Sequence, residues 1–176
     1  TDMHFLTTVD LIGDIKETLK LLASFSKFRS DSSYTTKLKR YITSDLDEHK
    51  DDNSYPLKPQ KIVYDIRETL DENDILISDV GMHKIWISRL YPAYRPNTVL
   101  ISNGLASMGI ALPGAVAAKL VHPERKIVAA CGDGGFLMNL HELETAKRLG
   151  LAFIVLIFDD GRYSQVEWSQ LNRYGK

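Results

Sequence analysis

The sequence is short of cysteine, of net charge and of long apolar runs. It has one cysteine in 176 residues, so it cannot form an internal disulfide, which is typical of a cytoplasmic protein. Because 22 basic residues nearly balance 23 acidic ones, the net charge of −1 favours neither a nucleic acid nor an anionic membrane as partner. We find no signal peptide and no run long enough to span a bilayer, and we expect a cytoplasmic protein without membrane contact.

Apolar residues make up 44% of the chain, enough for a domain with a core. Two apolar runs, 127–131 and 151–158, have the length of buried strands and flank a helical segment. In that segment Asn139 and Glu142 suggest a capping box, and Gly150 suggests a C-terminal cap. Its apolar positions recur at helical spacing: Leu140, Leu143, Ala146 and Leu149. The pattern predicts two parallel strands joined by a right-handed crossover.

An acidic turn follows each of these two strands. The first is Gly132-Asp133-Gly134-Gly135 and the second is Asp159-Asp160-Gly161. Ligands bind at the carboxyl edge of parallel sheets, and two carboxylates brought together there repel unless a cation separates them. Carboxylate oxygens suit Mg²⁺. The alternative is an α/β unit whose acidic loops are only solvated.

Two further strands are predicted at 74–79 and 98–102, and a helix with Ile62, Ile66 and Leu70 on one side is predicted over 59–72. The first strand leads through Gly81, Met82 and His83 into a helix, whose free N–H groups can bind an anion. The second leads through a loop of small residues containing Ala106 and Met108 into an alanine-rich helix. The residues alone leave other roles open, since His83 could be a cap or a surface residue and Met108 could be core filler. The expected fold is α/β, a parallel sheet flanked by helices.

The chain divides into three parts by composition. Residues 1–27 suggest a short strand within 8–15 followed by an amphipathic helix over 16–22, too little for a domain. Residues 28–58 are polar and suggest a linker with a possible helix at 37–42 and a solvated charge run. The remaining residues, 59–176, form the predicted ligand-binding domain.

The two acidic turns resemble the thiamine-diphosphate fingerprint of the pyruvate-oxidase-like superfamily, in which Gly-Asp-Gly is followed by a later Asn-Asn pair. Here Asp159 and Asp160 stand in place of that pair. The segments 82–86, 101–104 and 170–174 are similar to catabolic acetolactate synthases. The resemblance implies the thiamine-diphosphate-binding domain of an acetolactate-synthase-like enzyme, incomplete at its C-terminus, with 1–27 as the tail end of a middle domain.

The resemblance also implies roles for particular residues. His83 would contact the cofactor diphosphate, Met108 would wedge between the two cofactor rings, and the Ala106 carbonyl would face the aminopyrimidine. Mg²⁺ would be held by Asp133, Asp160 and the carbonyl of Arg162. The full expected cofactor site is Gly81, Met82, His83, Ala106, Met108, Gly132, Asp133, Gly134, Gly135, Asp160 and Tyr163.

The implied reaction of the whole enzyme is condensation of two pyruvates, or of a related 2-oxo acid, to 2-acetolactate with loss of CO₂. A homodimer or homotetramer is expected. The activating glutamate would come from another domain, so we assign no catalytic residue here and expect the isolated chain to be inactive. A need for FAD stays open. The alternatives are a pyruvate oxidase, pyruvate decarboxylase or benzaldehyde-lyase-like enzyme, or a non-catalytic module that binds a phosphate ligand or a partner chain.

Overall fold

The structure is a computed structural model that describes residues 6–27 and 32–175. The chain separates into two compact units, Thr1–Leu38 and Lys39–Lys176. None of the described helices is both long enough and apolar enough to cross a membrane.

The described part of the first unit contains the helix α1, Ile15–Phe25. It begins after Asp14, whose carboxylate accepts a hydrogen bond from the Glu17 N–H at 3.0 Å and so satisfies a free helix donor. The predicted helix near 16–22 is confirmed. The short strand predicted within 8–15 is wrong, because residues 6–14 form no strand and Ile15 already belongs to α1. An extended segment without a pairing neighbour is not stable by itself.

The second helix, α2, extends over Ser33–Glu48, which corrects the prediction of a mostly irregular segment with helix only at 37–42. Its sequence contains neither glycine nor proline, so nothing interrupts the helix once it has started. Residues 28–31 of the predicted linker lie outside the described residues.

The second unit is built on a four-stranded sheet. The strands are β1 Ile75–Ser78, β2 Val99–Ile101, β3 Ile127–Gly132 and β4 Ile154–Phe158. Their order in the sheet is β2-β1-β3-β4, and all pairs are parallel, which confirms the predicted α/β fold. Ser78 in β1 pairs with Ile101 in β2 and with Ala130 in β3, and Gly132 in β3 pairs with Phe158 in β4. The helices are α3 Pro59–Thr69, α4 Met82–Leu90, α5 Ala111–Val121, α6 Asp133–Met138, α7 Glu142–Arg148 and α8 Ser164–Tyr174.

Both faces of the sheet are covered by helices. Side chains of a strand alternate between faces, so Leu76 packs with α3 and α4 while Ile75 and Ile77 pack with α5. The predicted apolar side of α3 is confirmed, since Ile66 and Leu70 are buried and Ile62 packs beside them. Cys131 is buried on the other face of the sheet, on the side of α5, and burial raises the pKa of its thiol to about 12.

The segment between β3 and β4 differs from its prediction. Instead of one helix there are two, α6 and α7, and Asn139 ends the first of them rather than capping the second. Glu142 is the first residue of α7, so the predicted capping box is wrong. His141 is the N-cap of α7, and the Asn139 side chain instead turns to Gly109, whose carbonyl accepts from its Nδ2 at 2.8 Å. The predicted glycine cap is confirmed: Gly150 has φ +65° and the Leu151 N–H donates to the Ala146 carbonyl at 2.9 Å.

Burial in this region is uneven. Of the four apolar positions, Ala146 is buried, whereas Leu140, Leu143 and Leu149 are exposed. The strand predicted over 151–158 begins only at Ile154. As the edge strand of the described sheet β4 pairs on one side only, and Ile154 and Ile157 are exposed rather than fully buried.

Candidate functional site

The carboxyl ends of all four strands open into one cavity of about 1050 Å³. This size is at the upper end for small-molecule sites, which range over about 300–1000 Å³. Every residue of the predicted cofactor and metal sites lines this cavity. The structure therefore brings together residues that are far apart in the sequence, while their individual roles stay predictions.

The turn after β1 supplies a buried imidazole. Gly81 precedes the first turn of α4, and a Cβ atom there would lie 2.8 Å from Cε1 of His83, so the close approach requires glycine. The His83 ring stacks on Phe158 with centroids 5.3 Å apart. Its Nε2 atom is buried and has no hydrogen-bond partner among the described residues. Since buried polar atoms usually have a hydrogen-bond partner, this nitrogen is suited to form a hydrogen bond with a ligand.

The charge state of His83 is set by its surroundings. Burial lowers the pKa of the imidazole, and the neighbouring carboxylates of Asp79, Asp160 and Asp133 oppose that shift. The balance favours a neutral ring. These three carboxylates follow three different strands, β1, β3 and β4.

The connection after β3 is tighter than predicted. Since α6 begins at Asp133 directly after the strand, Asp133 lies in the first turn of a helix and not in a separate loop. The Asp133 carboxylate accepts from the Gly134 N–H at 2.8 Å. A Cβ atom on Gly134 would collide with the Tyr163 ring, and one on Gly135 would lie 2.7 Å from Oδ2 of Asp79. These glycines are thus required by close packing and not by a positive φ.

The turn after β4 carries the acidic pair Asp159-Asp160. Asp159 accepts from the Gly161 N–H at 3.1 Å, and Asp160 accepts from the Arg162 N–H at 3.3 Å and from the Ser164 hydroxyl. Both carboxylates are exposed to the solvent side of the cavity. The turn is therefore held by its own hydrogen bonds, with its carboxylates accessible to a cation.

The loop after β2 carries Ala106, with φ +50°, and the half-buried Met108. The next residue, Gly109, donates its N–H to both carboxylate oxygens of Asp79, at 2.8 and 3.0 Å. Its carbonyl accepts from Asn139. The loop is thereby fixed to the ends of β1 and α6.

Sequence reasoning missed the roles of Asp79 and Asn139. A signal for Asp79 was present, since an acidic residue that ends an apolar run directly before a glycine turn belongs at the ligand edge of the sheet. No sequence signal identifies the Asn139 contact, because its partner is thirty residues away. Apolar residues that complete the cavity wall were also missed, namely Tyr55, Leu57, Ile62 and Trp86.

Thiamine diphosphate and Mg²⁺ fit these residues. The unpartnered His83 nitrogen and the start of α4 suit a diphosphate. The carboxylates of Asp133 and Asp160 suit a hard cation bound to that diphosphate. Met108 and the apolar part of the cavity wall suit the rings.

Comparison with known proteins agrees with this fit. The family described as "Thiamine pyrophosphate enzyme, C-terminal TPP binding domain" matches residues 79–176, thiamine pyrophosphate being the same compound as thiamine diphosphate. An acetolactate synthase of Bacillus subtilis (strain 168) is 34% identical over 99% of this chain and 31% of its own length. A catabolic acetolactate synthase of Raoultella terrigena is 34% identical over 98% of the chain and 32% of its own length.

A probable acetolactate synthase large subunit of Methanocaldococcus jannaschii is 32% identical over 93% of the chain and 29% of its own length. The chain spans about a third of the length of these relatives. The resemblance to acetolactate synthases seen in the sequence is confirmed, and the chain belongs to the thiamine pyrophosphate enzymes, as a C-terminal cofactor-binding domain homologous to acetolactate synthases.

Proposed function

We propose that this domain holds thiamine diphosphate and Mg²⁺ for an acetolactate synthase, which condenses two pyruvates to 2-acetolactate and CO₂. The observation that carries the proposal is the convergence of four strand ends on one cavity, in which the buried Nε2 of His83 has no partner among the described residues. The names of the relatives favour this reaction over those of the other thiamine-diphosphate enzymes and over a non-catalytic module.

The metal would be held by the carboxylates of Asp133 and Asp160 and by the carbonyl of Arg162. Support comes from the wall of the cavity, which Asp133, Asp160 and Arg162 line together. The cation would offset their repulsion and bind the diphosphate oxygens. Gly81, Met82 and His83 would bind the same diphosphate at the start of α4.

The rings of the cofactor would lie against the loop after β2 and the glycines after β3. Met108 would separate the two rings and keep them bent, and the carbonyl of Ala106 would accept from the aminopyrimidine. Tyr163, packed on Gly134, would close one side of the site and exclude water. Bound thiamine diphosphate supplies a carbon nucleophile and an electron sink.

Activation of the cofactor requires a group that this chain does not provide in our assignment. We expect a glutamate from another domain and a homodimer or homotetramer, and we expect the isolated chain to have no acetolactate synthase activity. The cytoplasmic location, the open question of FAD and the boundaries at 27 and 58 stay as predicted from the sequence.

Calorimetry and a product assay on the full-length protein test the proposal. Thiamine diphosphate should bind only weakly without Mg²⁺ and tightly with it, and pyruvate should be converted to acetolactate. Absence of cofactor binding by the full-length protein would refute the proposal. Cofactor binding with consumption of a different 2-oxo acid would refute only the substrate.

A further inference from the structure

Asp79 is a fully buried carboxylate at the carboxyl end of β1. Both of its oxygens accept from the Gly109 N–H, and Oδ1 also accepts from the Val80 N–H at 2.7 Å. No lysine or arginine in the described chain forms an ion pair with it. Since a buried carboxylate is costly unless it is hydrogen-bonded, these backbone contacts account for its place in the structure.

Gly109 is held on its other side as well. Its carbonyl accepts from Nδ2 of Asn139 at 2.8 Å. With φ at +86°, a Cβ atom at this position would lie 2.7 Å from that same nitrogen, so only glycine fits. Both polar groups of one residue are thus bound by side chains from two other strand connections.

The preceding part of the loop lacks such anchors. In the described chain, no side chain forms a hydrogen bond with residues 104–108, and Leu105 is 94% exposed. Gly109 is therefore the fixed point nearest to Met108. The position of Met108 in the cavity depends on how firmly Gly109 is held.

We propose that Asp79 and Asn139 are positioning residues that hold the Gly109 backbone and thereby set the position of Met108 against the cofactor rings. The inference rests on the proposed function, which places Met108 at those rings. It adds two residues that touch no cofactor atom in this assignment and act through the loop.

Two ligands separate this role from a general effect on the site. Thiamine diphosphate uses the whole site, whereas inorganic pyrophosphate, with Mg²⁺, probes only the diphosphate part. Asp79→Asn in the full-length protein removes the negative charge and puts an amide group in place of one of the two oxygens near the Gly109 N–H. It should weaken thiamine diphosphate binding by about tenfold, the effect of replacing a hydrogen bond to a charged group by one to a neutral group. Pyrophosphate binding should weaken by less than about threefold.

Asn139→Asp provides a milder second variant, because Asn139 is only half-buried. It replaces the amide donor by an oxygen that faces the Gly109 carbonyl. We expect the same selective loss of thiamine diphosphate affinity, at about three- to tenfold.

Matched controls exist for both variants. Asp74→Asn changes another buried aspartate that accepts from two backbone N–H groups, but at the opposite end of β1. Asn103→Asp changes the same loop at an exposed position and keeps the oxygen that accepts from Lys84. Both controls should leave the ratio of the two affinities unchanged.

A ligand-free measurement covers the case in which Asp79→Asn does not fold. Amide hydrogen exchange of the wild-type protein should show Gly109 protected more than about tenfold over residues 104–108. Equal exchange rates would overturn the proposal, as would equal loss of both ligands in the Asp79 and Asn139 variants. Wild-type protein that binds no thiamine diphosphate would refute the proposed function itself, which is a different result from wild-type binding that these variants leave intact.

Discussion

The two edges of the sheet use charged residues in opposite ways. At the amino edge Asp74 accepts from the N–H groups of Asp71 and Lys126, at 2.8 and 2.9 Å, and the Lys126 ammonium lies 3.6 Å from it. At the carboxyl edge Asp79, Asp133 and Asp160 act on a single buried imidazole. The Asp74 carboxylate is paired within the chain, and Asp79 is held by backbone N–H groups. Asp133 and Asp160, in contrast, form no ion pair with any described residue. These two unpaired carboxylates indicate where a cation would bind.

Asp133→Asn in the full-length protein should show the largest effect at the carboxyl edge. Loss of even an outer partner of a metal ligand typically reduces metal affinity by about 10- to 100-fold, so replacing the charged ligand oxygen by a neutral amide should cost at least as much. Titration of Mg²⁺ at fixed thiamine diphosphate measures it. Unchanged cofactor affinity at limiting Mg²⁺ would contradict the metal assignment.

Met108→Ala should reduce turnover by about 10- to 100-fold, because a misplaced cofactor ring loses its reactive geometry. Unfolding free energy should fall by less than the ~2–5 kcal/mol of a fully buried Met→Ala change, since Met108 is half-buried. Kinetics and denaturant unfolding on the same preparation measure both. A large stability loss with near-normal turnover of the folded fraction would show that Met108 is core filler.

Asp74→Asn should have the reverse profile at the amino edge. It leaves a backbone N–H poorly satisfied, and we expect a loss of about 1–3 kcal/mol in unfolding free energy. Cofactor affinity should stay within about twofold, because the residue lies at the far end of β1. A matching loss of cofactor affinity would show that the two edges are not independent.

A small pH effect should come from His83. Its pKa is lowered in the folded protein by burial, so the unfolded chain binds the proton first as pH falls. Ligand-free protein should therefore lose stability as pH falls below about 6.5, the usual histidine value, and His83→Gln should reduce that loss. Denaturant unfolding at pH 7.5 and 5.5 compares the two proteins. Identical pH dependence would show that the ring is not held neutral.

Much of this arrangement could be predicted from sequence, and the exceptions have physical causes. The strands and the convergence of the two acidic turns follow from short apolar runs and from the geometry of parallel crossovers. The break between α6 and α7 was not predicted, because it depends on Asn139. The side chain of Asn139 could cap a helix, but in the structure it hydrogen-bonds to the distant Gly109 carbonyl. Tertiary contacts of this kind outweigh local capping preference and leave no periodic pattern.

The burial of β4 is also less complete than its sequence predicts. The run 151–158 is apolar enough for a strand covered on both faces, yet β4 lies at the edge of the described sheet with Ile157 exposed. Composition indicates how apolar a strand is, but its neighbours decide how much of it is covered.

The close approach of Gly135 and Asp79 couples the substitutions that these two positions, far apart in the chain, can accept. A Cβ atom at 135 would lie 2.7 Å from a carboxylate oxygen of Asp79, so a larger residue at 135 requires a smaller one at 79. If Gly135 is substituted first, the new side chain clashes with Asp79. If Asp79 is shortened first, the Gly109 N–H loses its acceptor. Each single substitution therefore disturbs a contact of the site, and we expect the two positions to change together or to remain as they are.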